Sequence, residues 1–377
     1  MNTHNLPLYT GEKLKEAPFR DPQTGQVDLN VYIPSPELVE AVQIAMLLQR
    51  PLLLMGEPGC GKTILAKTVA YELHGPAYKD HFFRWDIKST TKAQDGIYHF
   101  DAVKRLRMSQ EREGSQEFWQ KEARLLAAVR DKYERREHLN PRQDENGQPI
   151  EAPEKELEKL YIQYGLIRKG PLAKAFDACR PQQPPPVLLI DEIDKAEIDF
   201  PNDLLLEIED NEYYMAETDS RTRLPAGAPS PVIIITSNNE KELPAAFLRR
   251  CLFHYIEFPN ETILKNILRY RFEMAEQVLK EKRDNIIQAT VTLFTELRER
   301  LKLASEKQDS TSELIDFMQT IIAKVQHGVY TAAEIERMLK DARQKGLDGK
   351  YKIPFAAVLL KNYESVSMLL EQKAPPD

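Results

Sequence analysis

Apolar runs and helical spacings divide the chain into two kinds of sequence. Pro51-Leu52-Leu53-Leu54-Met55, Val187-Leu188-Leu189-Ile190 and Val232-Ile233-Ile234-Ile235 are unbroken apolar stretches. They predict buried strands, the second a central parallel strand covered on both faces. His81-Phe82-Phe83-Arg84-Trp85-Asp86-Ile87, rich in aromatic and β-branched residues, predicts another strand. A helix is expected from Ser35-Pro36-Glu37, with serine as N-cap, proline at N1 and an acid in the first turn. Its buried side is read as Leu38, Val39, Val42, Ile44, Ala45 and Leu48. A second helix is expected from Lys62 through Ile64, Leu65, Val69 and Leu73, and a short one from Gly170-Pro171-Leu172 to about Cys179. From 259 onward the pattern is helical throughout, with segments near 261–280, 283–303, 311–326, 331–345 and 355–371. Ser310-x-x-Glu313 and Thr331-x-x-Glu334 read as capping boxes.

The pattern thus predicts an α/β domain over 31–258, with a parallel sheet flanked by helices, and an all-helical domain over 259–377. Residues 1–30, polar with scattered prolines and glycines, read as a loosely held arm. Residues 101–160 interrupt the α/β domain with dense charge and one helical stripe, Phe118, Leu125, Val129 and Tyr133. The stretch 140–154 lacks periodicity and suggests a mobile tip. This insertion reads as a solvated helical hairpin or as a partner-contacting arm. Tyr161 to Ile167 is expected to return as a strand. Pro181 and Pro184-Pro185-Pro186 form a connector that no helix would cross. Ala216–Thr222 fits the turn of a hairpin flanked by Tyr213-Tyr214-Met215 and Arg223-Leu224.

Bulk properties narrow the function classes. Across 377 residues the formal net charge is −7, and no nucleic-acid signal stands out. No apolar run approaches the roughly 18–20 residues of a membrane span. The polar start, Met1-Asn2-Thr3-His4-Asn5, has no signal-peptide core. Cys60, Cys179 and Cys251 are far apart and match no metal spacing. A reduced, cytoplasmic protein is the resulting expectation.

Two stretches carry chemistry. Gly56-Glu57-Pro58-Gly59-Cys60-Gly61-Lys62-Thr63 fits Gly-x-x-x-x-Gly-Lys-Ser/Thr between a strand and a helix. Such a loop turns several amide N–H groups toward a phosphate at a helix N-terminus. Residues 56–63, with Ile64 behind them, are the nucleotide-binding candidates. Lys62 would reach the β- and γ-phosphates of ATP, and the Thr63 hydroxyl would bind Mg²⁺. Cys60 reads as a redox switch or as a small tolerated residue. Asp191 and Glu192 stand at the C-terminal end of the 187–190 strand, where ligands sit in open α/β sheets. Asp191 would hold the Mg²⁺ shell, and Glu192 would orient and deprotonate the attacking water.

Four elements follow in order: the phosphate loop, Ile190-Asp191-Glu192-Ile193-Asp194-Lys195-Ala196, Ile235-Thr236-Ser237-Asn238, and Arg249-Arg250. With the helical C-terminal region they resemble the AAA+ ATPases over roughly residues 30–370, and most nearly the MoxR-like, dynein-related branch. Asp-Glu-Ile-Asp-Lys-Ala here is similar to the branch's Asp-Glu-Ile-Asn-Arg-Ala. The hairpin near 212–225 and the insertion within 95–172 occupy places typical of that branch. The resemblance implies that Asn238 is sensor 1, with Asn239 the alternative one register away. It implies that Arg249 and Arg250 are arginine fingers acting on nucleotide held by a neighbouring subunit, hence a ring homo-oligomer, commonly a hexamer. It also implies that Tyr32-Ile33-Pro34 lines the adenine; the alternative is a simple entry loop. The branch often carries Ser-Pro-Arg in its lid, and Ser312 stands in the arginine's place, so no sensor 2 is assigned. MoxR-like ATPases often work with von Willebrand factor A-type partners, which implies a partner of that kind; the client is not legible. The favoured reading is an ATP-driven remodelling motor of chaperone type. A nucleotide-gated switch with slow hydrolysis and a P-loop phosphotransferase are the alternatives, and no residue visibly separates ATP from GTP.

Overall fold

The computed structural model describes residues 7–15, 18–22, 24–110, 116–134, 152–273, 275–303, 310–342 and 353–360. Most of the expected 140–154 tip, the end of the 331–345 helix and most of the 355–371 helix lie outside these residues. The chain divides into two compact units. One comprises residues 1–8, 41–53 and 73–253; the other comprises 9–40, 54–72 and 254–377.

A five-stranded sheet is built from β1 (Leu52–Gly56), β2 (Phe82–Asp86), β3 (Val187–Asp191), β4 (Val232–Ser237) and β5 (Leu252–Ile256), in the order β5-β1-β4-β3-β2. Strand β3 runs parallel to both neighbours, with Ile190 opposite Ile235 on one side and Trp85 on the other. Every residue of β3 and β4 is buried, which is why these strands read as unbroken apolar runs. The parallel sheet flanked by helices is therefore the one that the pattern predicts. Strand β5 was not expected. Its first four residues alternate half-buried and exposed, with Phe253 and Tyr255 open to solvent and Ile256 buried at its end, so it lacks the apolar run that marks the inner strands.

In the first unit the hairpin pairs Glu212–Met215 with Ser220–Arg223, so the turn is shorter than expected and Ser220–Thr222 are strand. The insertion forms helices Ala102–Gln110, Gln116–Glu134 and Pro153–Gln163. Tyr161–Gln163 is helical rather than strand, because Pro153 at the first helical position starts a helix that carries through it. The returning strand is Ile167–Lys169, antiparallel to Tyr98–Phe100. Phe118 is buried with its ring 4.9 Å from that of Tyr164 and 6.1 Å from Tyr161. On the Pro36–Leu48 helix Leu38, Val42 and Ala45 are buried, whereas Ile44 and Leu48 are exposed. A 3.6-residue repeat puts 44 and 48 on a different face from 38, 42 and 45.

The second unit holds the C-terminal helices Glu261–Arg271, Ala275–Leu279, Arg283–Leu303, Thr311–Gln326 and Ala332–Asp341. Leu264, Leu268, Ile286, Phe294, Phe317 and Leu339 are among the fully enclosed side chains of its core. Each such burial contributes roughly 1.5–3 kcal/mol. Both capping boxes form, at Ser310/Glu313 and Thr331/Glu334, and Asn260 caps the first of these helices. The loosely held arm is corrected for its described part. Tyr9 and Leu14 are buried, and the Glu72 carboxylate accepts hydrogen bonds from Thr10 N–H, Thr10 O–H and Gly11 N–H.

Candidate functional site

The glycine loop lies in the second unit. Gly59 and Gly61 have φ of +78° and +97°, conformations that a side chain would strain. A β-carbon at Gly61 would also stand 2.9 Å from the Tyr32 ring, and one at Gly59 would strike Ser310. The loop is therefore packed so closely that only glycine fits at these two places. Lys62 opens the helix Lys62–His74 and is buried; its ammonium donates to the carbonyls of Gly56 at 2.7 Å and Glu57 at 3.0 Å. Thr63 follows it in the helix, and Ile64 is exposed. Pro58 and Gly59 are exposed at the tip.

Cys60 is buried, and burial pushes its thiol above the usual range, although Lys62 nearby pulls the other way. A thiol held in its neutral form is a poor nucleophile, so the structure favours a small tolerated residue over a redox switch. The hydroxyl of Tyr32 is likewise held well above its ordinary pKa by burial.

One contact in this unit had no sequence signal. Arg298, on the helix Arg283–Leu303, is 8% exposed and pairs with the Glu57 carboxylate. Its guanidinium carbon lies 3.5 Å from the centre of the Phe258 ring. No spacing rule joins two residues 241 positions apart.

The carboxylates lie in the first unit, at the C-terminal end of β3. Asp191 and Thr236 occupy adjacent strands one step beyond the paired Ile190 and Ile235. The Thr236 hydroxyl donates to Asp191 Oδ1 at 2.7 Å and accepts the Glu192 N–H at 2.8 Å. Arg84 of β2 donates to Asp191 Oδ2 at 2.9 Å. Glu192 leaves the strand in a left-handed conformation (φ 61°, ψ 53°). That costs a non-glycine residue roughly 1–2 kcal/mol, partly offset by the bond to Thr236.

The Glu192 carboxylate meets two partners. Asn238 Nδ2 donates to Oε1 at 3.1 Å, and Lys195 pairs with Oε2. That pairing raises the Lys195 pKa. Asn239 is turned elsewhere: its N–H donates to Ser237 Oγ at 3.0 Å. The loop that carries Asn238 is held from below by Asp194, 2% exposed, whose Oδ2 accepts the N–H groups of Asn238 at 3.1 Å and Glu240 at 2.9 Å. The structure thus brings Asp191, Glu192 and Asn238 together and adds Thr236, Arg84, Lys195 and Asp194. Thr236 could have been found from strand register alone. Arg84 could not, because arginine in a strand is ordinary.

Arg249 and Arg250 do not join this cluster. They form the last turn of the helix Ala245–Arg250. They line a cavity of about 290 Å³ with Pro51, Ser230 and Pro231, residues that precede β1 and β4. Asp191 and Ser237 end β3 and β4. The two ends of β4 are separated by about 16 Å at ~3.3 Å per residue, more than an arginine side chain spans. Arg250 pairs with Glu209 at 2.9 Å. Among the described residues Arg249 has no side-chain partner.

A family model described as "ATPase family associated with various cellular activities (AAA)" matches residues 52–260, more than half of the chain. No curated protein matches it. Among the described residues no helix is long and apolar enough to cross a membrane.

Proposed function

The chain belongs to the ATPase family associated with various cellular activities, and we propose that it works as a remodelling motor of the MoxR-like branch, assembled as a ring whose active sites are shared between subunits. As an ATPase of the AAA+ type it carries the phosphate loop and the acidic strand end that such hydrolysis needs. Lys62 and the backbone N–H groups of 56–63, Pro58 excepted because it has none, hold the phosphates of ATP. Asn238 holds the Glu192 carboxylate by its amide. Glu192 takes the proton of the attacking water at its carboxylate as the water oxygen bonds to the γ-phosphorus and the bond from that phosphorus to the β–γ bridging oxygen breaks, releasing ADP and phosphate.

Asp191 and Thr63 are the proposed Mg²⁺ ligands, each a hard oxygen donor in its own unit. This suits an ion that takes one or two protein oxygens and fills its shell with phosphate and water. Bound there, Mg²⁺ would neutralise charge on the phosphates. The Thr236 hydroxyl and the Arg84 guanidinium fix the orientation of the Asp191 carboxylate, one at each oxygen. Functionally the chain is divided into an N-terminal segment (1–30), a nucleotide-binding domain (31–258) and a helical lid (259–377). With this reading go a cytoplasmic location and, as the resemblance to the branch implies, a von Willebrand factor A-type partner.

The observation that carries the shared-site reading is the strand-length separation between the arginine pair and the chain's own carboxylates. At that end the guanidinium groups are out of reach of the chain's own carboxylates, which supports the reading that the nucleotide they serve is held by another copy. The test mixes two inactive proteins. Arg249→Ala, Arg250→Ala keeps its phosphate loop; Lys62→Ala keeps its arginines. Where subunits exchange, some interfaces join an intact pair to an intact loop, and ATP hydrolysis should reappear. No recovery, with exchange shown by a fluorescent label, would sink the shared-site reading.

A further inference from the structure

The helix Ala245–Arg250 has six residues. So short a helix has little stability of its own, and its last carbonyls have no partners within it. Three carbonyls at that end are met by one side chain from elsewhere. Arg50 donates from Nη2 to the Arg249 carbonyl at 2.7 Å and the Cys251 carbonyl at 3.5 Å, and from Nε to the Arg250 carbonyl at 3.1 Å. Just beyond, the Leu252 N–H donates to the Pro51 carbonyl at 2.8 Å. The end of the helix is therefore pinned to residues 50 and 51 on both sides of Cys251.

The chemistry suits the place. A guanidinium holds its donors in one fixed plane and can meet several acceptors at once. Its positive charge also complements the negative end of a helix. Fixing three successive carbonyls fixes the direction in which the side chains at 249 and 250 leave the backbone.

We infer that Arg50 is a positioning residue for the arginine pair, setting the direction from which Arg249 and Arg250 approach nucleotide held by a neighbouring copy. This rests on the shared-site reading above. On this reading Arg50 acts through the backbone of residues 249–251, whose carbonyls it holds, rather than on nucleotide directly. Stabilisation of charge in the transition state depends on donors already in place, and a displacement of about 1 Å can lower a rate on the order of 10²-fold. Losing Arg50 should therefore lower turnover and leave the affinity for ATP alone.

The test uses the full chain under assembling conditions. Arg50→Ala should lower kcat by about tenfold to a hundredfold, with the Kd for ATP, read by calorimetry, changed less than about twofold. Arg50→Lys should regain part of the loss, because an ammonium can donate to these carbonyls without matching the planar fork. The decisive readout is mixing. Arg50→Ala subunits have intact phosphate loops and misdirected arginines, so Lys62→Ala subunits should restore their activity, whereas Arg249→Ala, Arg250→Ala subunits should not. If Arg50→Ala does not assemble, Arg50→Lys carries the same comparison. A Kd loss matching the kcat loss would overturn the inference. So would failure of Lys62→Ala to rescue Arg50→Ala while it rescues Arg249→Ala, Arg250→Ala. If Lys62→Ala rescues neither, the shared-site reading falls, and the inference with it.

Discussion

The guanidinium of Arg298 pairs with the carboxylate of Glu57 while lying over the Phe258 ring. Glu57 belongs to the glycine loop, so an acidic side chain stands where phosphate charge is proposed to bind. Arg298 neutralises it. Arg298→Ala should leave that carboxylate unpaired and weaken ATP binding roughly tenfold, about 1.4 kcal/mol. Adding Glu57→Gln should restore much of the loss, because the uncompensated charge is gone. Arg298→Lys should recover little, since an ammonium lacks the flat face that lies over Phe258. Calorimetric titration with ATP reads all three, and an unchanged Kd for Arg298→Ala would remove the pair from nucleotide binding.

Lys62→Ala should abolish or severely weaken ATP binding. The change removes the charge proposed to face the β- and γ-phosphates. It also strips the Gly56 and Glu57 carbonyls of the donor that now holds them. Near-wild-type affinity in the same titration would contradict the assignment.

Glu192→Gln should bind ATP·Mg²⁺ but hydrolyse it on the order of 10²–10⁴-fold more slowly, the usual contribution of a general base. The amide keeps the size of the side chain and can still accept from Asn238, and the left-handed backbone with its bond to Thr236 is untouched. Binding and turnover should therefore separate cleanly. Unchanged steady-state hydrolysis would move the base elsewhere.

The inner strands, the strand–loop–helix unit and both C-terminal capping boxes were legible because each is written in local sequence. A continuous apolar run, a Gly-Lys-Thr and a Ser-x-x-Glu need no knowledge of partners. Strand β5 was not legible, because Phe253 and Tyr255 face solvent and break the run. The candidate site was legible where chemistry resides in adjacent residues, as at Asp191-Glu192. It was hidden where a contact spans the chain. Arg50 meets carbonyls about 200 positions away, and Arg298 meets Glu57 across 241. Nothing local distinguishes either arginine from a solvated one.

The insertion shows the same limit. Glu158 reads as one more charge in a charged helix, yet it is buried. It accepts from Lys155 at 2.8 Å, Lys169 at 2.7 Å and the Ser220 hydroxyl at 2.8 Å, tying the Pro153–Gln163 helix to the 212–223 hairpin. Burial alone would raise its pKa, but the two ammonium groups outweigh it and the net shift is downward. A carboxyl depressed in the folded state contributes stability above its unfolded pKa of about 4.3 and loses it as pH falls through the lower folded value. Glu158→Ala should destabilise the chain on the order of 3 kcal/mol at neutral pH, the lower end for a broken buried pair because both lysines are partly exposed. The gap between wild type and Glu158→Gln in urea should narrow below about pH 4. Hydrogen exchange should quicken in 212–223. Equal exchange in both proteins would mean that the hairpin does not depend on this contact.

The last prediction separates Arg249 from Arg250. Consecutive residues of a helix point about 100° apart, so the two cannot present their guanidinium groups to one phosphate from one direction. Arg250 is turned toward its own chain, paired with Glu209 at 2.9 Å, and both side chains are 45% exposed. A surface pair of that kind is worth only about 0–1 kcal/mol, so it orients Arg250 without immobilising it. Arg249 leaves the same turn in another direction and meets no side-chain partner among the described residues. If one of them reaches a neighbour's γ-phosphate, the geometry selects Arg249. Arg249→Ala alone should then lower kcat by roughly 10³–10⁵-fold, the range for a trans-acting arginine, and match the double variant. Arg250→Ala should lose far less, about tenfold at most on the scale of a disturbed orientation, and Glu209→Gln should resemble it. Turnover measured at saturating ATP on assembled protein decides the matter. The reverse order, with Arg250→Ala the more damaging, would show that the Glu209 pair breaks on assembly and that Arg250 makes the crossing.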